Sequence, residues 1–234
     1  MIILIQEEWD ADDIISYCKD TWRAYSIMTK NDISKMDINK FFRGPAFCDT
    51  NIIQKNLSLR KLDHLIPDTY PLIFNDFYHR SINKSSYKNI DKFSFPYFIK
   101  SIGNNKLVDG TIIHNEKELN ELWINNNILP TDDTDFYISN VVEFATEYRI
   151  FIGNNHIYGV GHQKGNNMMQ PDYNFIINLT KMTNGKFYCI DIGYIKDKNK
   201  WAVVEVNPPF ALDDYGILID DYMLYTIDFW KSFQ

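Results

Sequence analysis

The order of apolar and polar positions predicts a small α/β region at the N-terminus. Residues 1–6 form a short apolar run, which predicts a buried strand. Residues 11–23 carry apolar side chains near helical spacing, and Asp10 or Asp12 is available to cap that helix. A second strand-and-helix passage is predicted over residues 41–72. A strand followed by a helix is typical of an α/β unit, so we expect an N-terminal α/β domain.

A polar stretch then separates this region from the rest of the chain. Residues 78–92 are rich in Ser, Asn and Lys, which predicts an exposed connection and a domain boundary. We therefore predict an N-terminal domain over residues 1–92 and a second domain over residues 93–234. Within the second domain, residues 93–140 are expected to form a central subdomain and residues 141–234 a C-terminal subdomain.

The second domain has the pattern of an α+β body with much antiparallel sheet. The predicted elements are strands at 95–101 and 136–144, hairpins over 148–161 and 187–206, and helices at 115–123 and 220–230. The first hairpin is predicted to turn at Gly153-Asn154-Asn155, because such residues favour tight turns. Asn115 is a plausible cap for the first of the two helices. The fold class is therefore predicted as mixed α/β and α+β.

Composition narrows the class of protein. Of 234 residues, 45% are hydrophobic and 15% aromatic, which is typical of a globular protein with a substantial core. The net charge of −7 argues against a long nucleic-acid interface, which normally needs a basic face. Three scattered cysteines without a CxxC pair predict buried, reduced thiols in a cytoplasmic protein. No apolar run approaches the length of a transmembrane helix, so no membrane partner is expected.

The clearest chemical signal lies near the C-terminus, in a strand of apolar residues that ends in Glu205 and Asn207. Side chains two positions apart on a strand lie on the same face, and Mg²⁺ prefers carboxylate and amide oxygens. Asp191 interrupts an apolar strand, and a buried carboxylate needs a partner or a metal. The predicted hairpin sets Asp191 opposite Glu205, so three oxygen ligands would converge. Seen alone, the segment is equally compatible with an ordinary strand end and an Asn turn.

Three basic residues are candidate phosphate ligands. Lys100 ends an apolar strand, and a polar loop with Lys106 follows it. Arg149 leads a strand and would be able to hold a phosphate or a carboxylate through two hydrogen bonds. The alternatives are a surface lysine at position 100 and a surface pair between Glu147 and Arg149. Neither GxxxxGK[ST] nor GxGxxG occurs in the chain.

In this order, the features resemble the ATP-grasp superfamily, and locally its glutamate-adding ligases. The likeness covers roughly residues 93–234. It is carried by Val142-Glu143-Phe144, by Tyr148-Arg149-Ile150-Phe151-Ile152, by Ile190-Asp191-Ile192 and by Val204-Glu205-Val206-Asn207-Pro208.

The compact size and two further motifs resemble one clade of that superfamily, which is named for one arginine and two lysines and is found widely in phages and viruses. The motifs are Arg43-Gly44 and the pair Asn207-Pro208-Pro209-Phe210 and Asp213-Asp214-Tyr215-Gly216. The phosphate loop departs from the pattern, because Asn104-Asn105 stands where many members have small residues.

The resemblance implies an ATP-grasp fold, in which two α+β subdomains grip ATP, preceded by a small α/β domain. It also implies a role for each matching residue. Lys100 and Lys106 would contact phosphates, Glu143 and Phe144 would line the adenine, and Glu147 would reach the ribose. Arg149 would face the γ-phosphate, Lys164 would add positive charge there, Asp191, Glu205 and Asn207 would hold Mg²⁺, and Arg43 would bind a substrate carboxylate. For Lys164, a solvated loop lysine is the alternative.

The implied activity is that of an ATP-dependent carboxylate–amine ligase acting on an amino acid, a peptide or a protein end through an acyl phosphate. Two alternatives stay open. One is an ATP-dependent phosphotransferase with a non-carboxylate acceptor, and the other is a nucleotide-binding or interaction protein without turnover. A metal-dependent nuclease would also use clustered carboxylates, but the acidic net charge fits it less well.

Overall fold

The computed structural model describes residues 1–102, 107–129, 134–210 and 213–234. The chain divides into two compact units, of which the first comprises Met1–Phe77 with Phe144–Gln234 and the second comprises Tyr78–Glu143. The predicted boundary at residue 92 falls inside the second unit, and the division into domains 1–92 and 93–234 stays a prediction.

The described strands and helices are numbered here in chain order. The strands are β1 (Ile3–Gln6), β2 (Tyr25–Met28), β3 (Ala46–Phe47), β4 (Ile82–Ser86), β5 (Tyr97–Ser101), β6 (Thr111–Ile113), β7 (Asp135–Asn140), β8 (Phe144–Gly153), β9 (His156–Gly165), β10 (Tyr188–Ile195) and β11 (Lys200–Asn207). The helices are α1 (Asp12–Asp20), α2 (Lys30–Ser34), α3 (Ile38–Phe41), α4 (Thr50–Leu59), α5 (Glu116–Asn125), α6 (Tyr173–Met182) and α7 (Ile219–Lys231).

The first unit contains two sheets of different type. Its N-terminal sheet has the order β2-β1-β3 and is parallel, as expected where helices connect successive strands. Its second sheet has the order β11-β10-β8-β9 and is antiparallel throughout. Asn154 and Asn155 form the turn between β8 and β9 with φ of 51° and 58°, a left-handed conformation that Asn tolerates. This hairpin and the β10–β11 hairpin confirm the sequence-based predictions.

One apolar core joins the two sheets of the first unit. Helix α7 contributes Tyr225, Phe229 and Trp230, each at most 1% exposed. These side chains pack in the same cluster as Ile5 of β1 and Phe151 of β8. Burial of large aromatic side chains is the main source of stability in such a core. The polar end of the antiparallel sheet, described below, lies beyond this cluster.

The second unit is a four-stranded antiparallel sheet, in the order β4-β7-β5-β6, that packs against helix α5. Helix α5 buries Leu119 and Trp123 against the sheet. Asn115 caps the helix, because its Oδ1 accepts a hydrogen bond from the backbone N–H of Glu118 at 3.0 Å. This cap was predicted from the sequence.

Several sequence-based predictions were wrong in detail. Residues 78–92 contain strand β4, which pairs with β7 through backbone hydrogen bonds that its polar side chains do not reveal. The predicted strand at 136–144 is two strands that belong to different sheets. Helix α1 begins after Ala11, with no side-chain cap from Asp10 or Asp12. Within the described residues, no helix is both long enough and apolar enough to cross a membrane.

Candidate active site

The register of three strands brings the predicted ligands together. Asp191 of β10 pairs with Glu205 of β11 on one side and with Arg149 of β8 on the other. Directly paired residues in an antiparallel sheet lie on the same face, so the three side chains share one face. Asn207 is paired with Cys189, two positions before Asp191, and therefore shares that face as well. The predicted approach of positions 191 and 205 is thus confirmed.

The Asp191 carboxylate is buried and accepts four hydrogen bonds. Arg149 donates from Nε to Oδ1 at 2.7 Å and from Nη2 to Oδ2 at 2.8 Å. Gln163 Nε2 donates to Oδ1 at 2.9 Å, and Asn207 Nδ2 donates to Oδ2 at 2.9 Å. Each carboxylate oxygen thus accepts two hydrogen bonds, which uses its usual acceptor positions. Asp191 is fully engaged with donors from three strands.

Burial and pairing act in opposite directions on this ion pair. Burial raises the pKa of Asp191, and the Arg149 guanidinium opposes that shift. Burial by itself would lower the pKa of Arg149, but the bonds to Asp191 outweigh it and raise the pKa above its ordinary value. The guanidinium therefore stays charged. Removing one partner would leave the other as an uncompensated buried group, which is costly.

The donor chemistry of this face fits a hard cation. Asn207 turns its amide N–H₂ toward Asp191, so its Oδ1 points away from that carboxylate. Glu205, which is half-buried, lies on the same face and supplies a carboxylate. Such oxygen donors suit Mg²⁺. The described residues include no group of three His, Cys, Asp or Glu side chains able to hold a metal ion, so the amide of Asn207 is a necessary member.

A second ion pair lies on the β8–β9 hairpin. Lys164 Nζ lies 3.0 Å from Glu147 Oε1, and the two residues are directly paired in the sheet. The Glu147 side chain is only 9% exposed, whereas that of Lys164 is 68% exposed. Burial raises the pKa of Glu147, and Lys164 opposes the shift. The alternative pair between Glu147 and Arg149 does not form, because Arg149 is bonded to Asp191.

Two contacts to the central pair had no counterpart in the sequence-based prediction. Gln163 donates to Asp191, and the ring of Tyr215 lies over the guanidinium of Arg149 at 4.4 Å. Gln163 lies where the register of β8 and β9 shifts, so its direction is not readable from strand alternation. The Asp213-Asp214-Tyr215-Gly216 motif was noted only as a point of resemblance, without a role.

The remaining predicted residues lie elsewhere. Lys100 is a half-buried residue of β5 in the second unit, opposite Tyr137 of β7. Glu143, exposed, is the last residue of that unit, and the half-buried Phe144 is the first residue of β8. Arg43 is exposed and follows helix α3. Lys106 lies outside the described residues.

Comparison with known proteins identifies the family. Residues 77–224, more than half of the chain, match the model of an ATP-grasp domain, family 2 of the clade named for one arginine and two lysines. The chain belongs to the ATP-grasp family. This result confirms the superfamily and the fold class predicted from the sequence, whereas a phage or viral source stays a prediction.

Solved structures agree with this ATP-grasp assignment at the level of the fold. A RimK domain ATP-grasp protein from Sphaerobacter thermophilus is similar with a TM-score of 0.65 and 11% identity, over 97% of this chain and 98% of that one. A D-alanine–D-alanine ligase from Bacillus anthracis complexed with ATP has a TM-score of 0.56 and 12% identity, over 100% and 99% of the two chains.

An L-amino acid ligase from Bacillus licheniformis has a TM-score of 0.61 and 10% identity, over 88% of this chain and 67% of that chain. No curated protein sequence is significantly similar to this chain. At these identities the similarity establishes the ATP-grasp fold.

Proposed function

We propose that this protein is an Mg²⁺-dependent ATP ligase that joins a carboxylate to an amine through an acyl phosphate. The observation that carries the proposal is the alignment of Arg149, Asp191 and Glu205 across three neighbouring strands. Structures with this fold include a ligase complexed with ATP and an L-amino acid ligase, which supports ATP and amino-acid-type substrates here.

Each candidate residue has a part in this proposal. Glu205 and the Oδ1 of Asn207 would hold Mg²⁺, and Asp191 would join them only by releasing one of its present donors. A bound Mg²⁺ would neutralise charge on the β- and γ-phosphates. Arg149 and Lys164 would face the γ-phosphate.

The second unit and the hairpin supply the rest of the nucleotide site. Lys100 and Lys106 would contact the phosphates, Glu143 and Phe144 the adenine, and Glu147 the ribose. Arg43 would bind the carboxylate substrate. Point charges and bidentate donors at these positions offset the repulsion between an anionic nucleophile and a triphosphate.

The chemistry would proceed in two balanced steps. A substrate carboxylate oxygen attacks the γ-phosphorus, the bond to the β-phosphate oxygen breaks, and ADP leaves. The amine nitrogen then attacks the acyl carbon, phosphate leaves, and the nitrogen loses a proton. Phosphorylation supplies a leaving group that a free carboxylate lacks. The protein contributes positioning and charge neutralisation, so no nucleophilic side chain is needed.

The deciding experiment measures nucleotide binding and ADP release in parallel. Wild-type protein should be stabilised by ATP with Mg²⁺ in thermal unfolding, and by much less when EDTA removes the metal. ADP release should appear with at least one member of a panel of amino acids and short peptides. Glu205→Gln should lose the Mg²⁺-dependent stabilisation, whereas the matched control Glu121→Gln, an exposed carboxylate on α5, should keep it.

Hydroxylamine separates the ligase from a phosphotransferase. An acyl phosphate gives a hydroxamate with hydroxylamine, whereas a phosphorylated hydroxyl does not. ADP release without hydroxamate would contradict the ligase and favour the phosphotransferase. The absence of any nucleotide binding by the wild type would refute both.

A further inference from the structure

The guanidinium of Arg149 is restrained in two independent ways. Asp191 bonds to its Nε and Nη2, which fixes the rotation of the group within its own plane. The ring of Tyr215 lies over it, with Cζ 4.4 Å from the ring centroid, which fixes the plane itself. A guanidinium has five N–H donors, so three remain after the pair with Asp191. Their direction is set by Asp191 and Tyr215 together.

The backbone around Tyr215 is built for this placement. Tyr215 has φ of 52°, a left-handed conformation that large side chains rarely adopt. The following residue, Gly216, has φ of 77°, and its N–H donates to Asp214 Oδ1 at 2.7 Å. A turn that holds an aromatic residue in an uncommon conformation indicates a specific requirement for its side-chain position.

Strand β9 accommodates the same turn. A Cβ atom at Gly161 would lie 2.6 Å from the Tyr215 carbonyl oxygen and 2.9 Å from the Tyr215 Cβ. Gly161 is directly paired with Arg149 in the sheet. The absence of a side chain at this one position therefore allows the 214–216 turn to approach the strand next to Arg149.

We infer that Tyr215 is a positioning residue that orients Arg149 toward the γ-phosphate of the bound nucleotide. The inference rests on the proposed function, because it assumes that Arg149 meets that phosphate. The aromatic ring is the part that acts: the described residues offer the Tyr215 hydroxyl no hydrogen-bond partner, whereas the ring face attracts the cation. The role thus requires an aromatic ring and does not require the hydroxyl.

The test compares the affinities for two nucleotides that differ in the γ-phosphate. Dissociation constants for ADP and for a non-hydrolysable ATP analogue, both with Mg²⁺, are measured by calorimetry. Tyr215→Leu should weaken binding of the ATP analogue by about tenfold, a magnitude typical of a desolvated cation–π contact, and change ADP binding little. Tyr215→Phe should restore the preference for the ATP analogue. Tyr173→Leu, at an exposed tyrosine on α6, serves as the matched control.

A second variant guards against loss of folding. Gly161→Ala retains the Tyr215 ring but displaces its backbone, and it should reduce the same preference for the ATP analogue. Equal loss of both affinities in Tyr215→Leu, or no change in either, would overturn the inference while leaving the proposed function intact. If the wild type binds neither nucleotide, the proposed function itself fails.

Discussion

Gly193 of β10 lies directly beneath the ring of Phe144 at the start of β8, so that a Cβ atom at position 193 would overlap the ring. The same relationship occurs at the other end of β8, where a Cβ at Gly153 would overlap the ring of Phe187. Phe144 is half-buried and is proposed to line the adenine, whereas Phe187 belongs to the apolar core. The two glycines therefore form a matched pair with different consequences.

Gly193→Ala should lower the affinity for adenine nucleotides by about three- to tenfold, because the Phe144 ring must move and aromatic contacts contribute on this scale. Gly153→Ala should instead lower the free energy of unfolding by about 1–3 kcal/mol, the usual cost of overpacking a core. Calorimetric titration with ADP and urea unfolding measure the two effects. An equal loss of nucleotide affinity in both variants would contradict the placement of the adenine at Phe144.

The ion pair of Arg149 and Asp191 should be strongly coupled. Either Arg149→Met or Asp191→Leu alone should lower the free energy of unfolding by about 3–5 kcal/mol, because each leaves a buried, uncompensated group. The double variant should lose less than the sum of the two, since no charge is then stranded. Urea unfolding without nucleotide measures all four proteins. Additive losses would show that the two side chains do not act as a pair.

Asp49 should give a pH-dependent contribution to stability. Lys30 lowers the pKa of Asp49, and Asp49 also caps α4 by accepting a hydrogen bond from the N–H of Asn51. A lowered folded-state pKa gives stability that is present above the unfolded value and is lost as pH falls through the folded value.

Asp49→Asn keeps a capping oxygen but loses the pairing with Lys30. It should be less stable than wild type at neutral pH, and the difference should vanish as pH falls through the lowered pKa of Asp49. Asp49→Ala should also lose the cap, which costs about 1 kcal/mol. Thermal unfolding over a pH series measures both. A gap between wild type and Asp49→Asn that persists or widens in acid would contradict the pairing.

The three cysteines should be unreactive in the folded protein. All three are buried, and burial raises the pKa of Cys48 to about 12. Since the thiolate is the reactive form, a thiol-specific reagent such as DTNB should label none of them at neutral pH. All three should react once the protein is unfolded in guanidinium. Rapid labelling of native protein would show that the core opens readily.

Local patterns in the sequence identified much of the fold and part of the site. The two asparagines after Gly153 predicted the β8–β9 turn because few residues tolerate its left-handed backbone. The alternation in the β11 strand placed Glu205 and Asn207 on one face, and hairpin geometry placed Asp191 beside them. Strand β4 was missed because its polar side chains conceal pairing that depends only on backbone groups.

The sequence by itself determined which residue types were available for Mg²⁺ and phosphate, because period-two alternation and hairpin register are local properties of the chain. Only the tertiary structure decided how those residues are used. It paired Arg149 with Asp191, bonded Glu147 to Lys164, and placed Tyr215 over the Arg149 guanidinium. These contacts join residues up to 66 positions apart, as Arg149 and Tyr215 are, and depend on a bulge and on a glycine that admits a turn. Such long-range packing follows from the whole fold and leaves no periodic signal in the sequence.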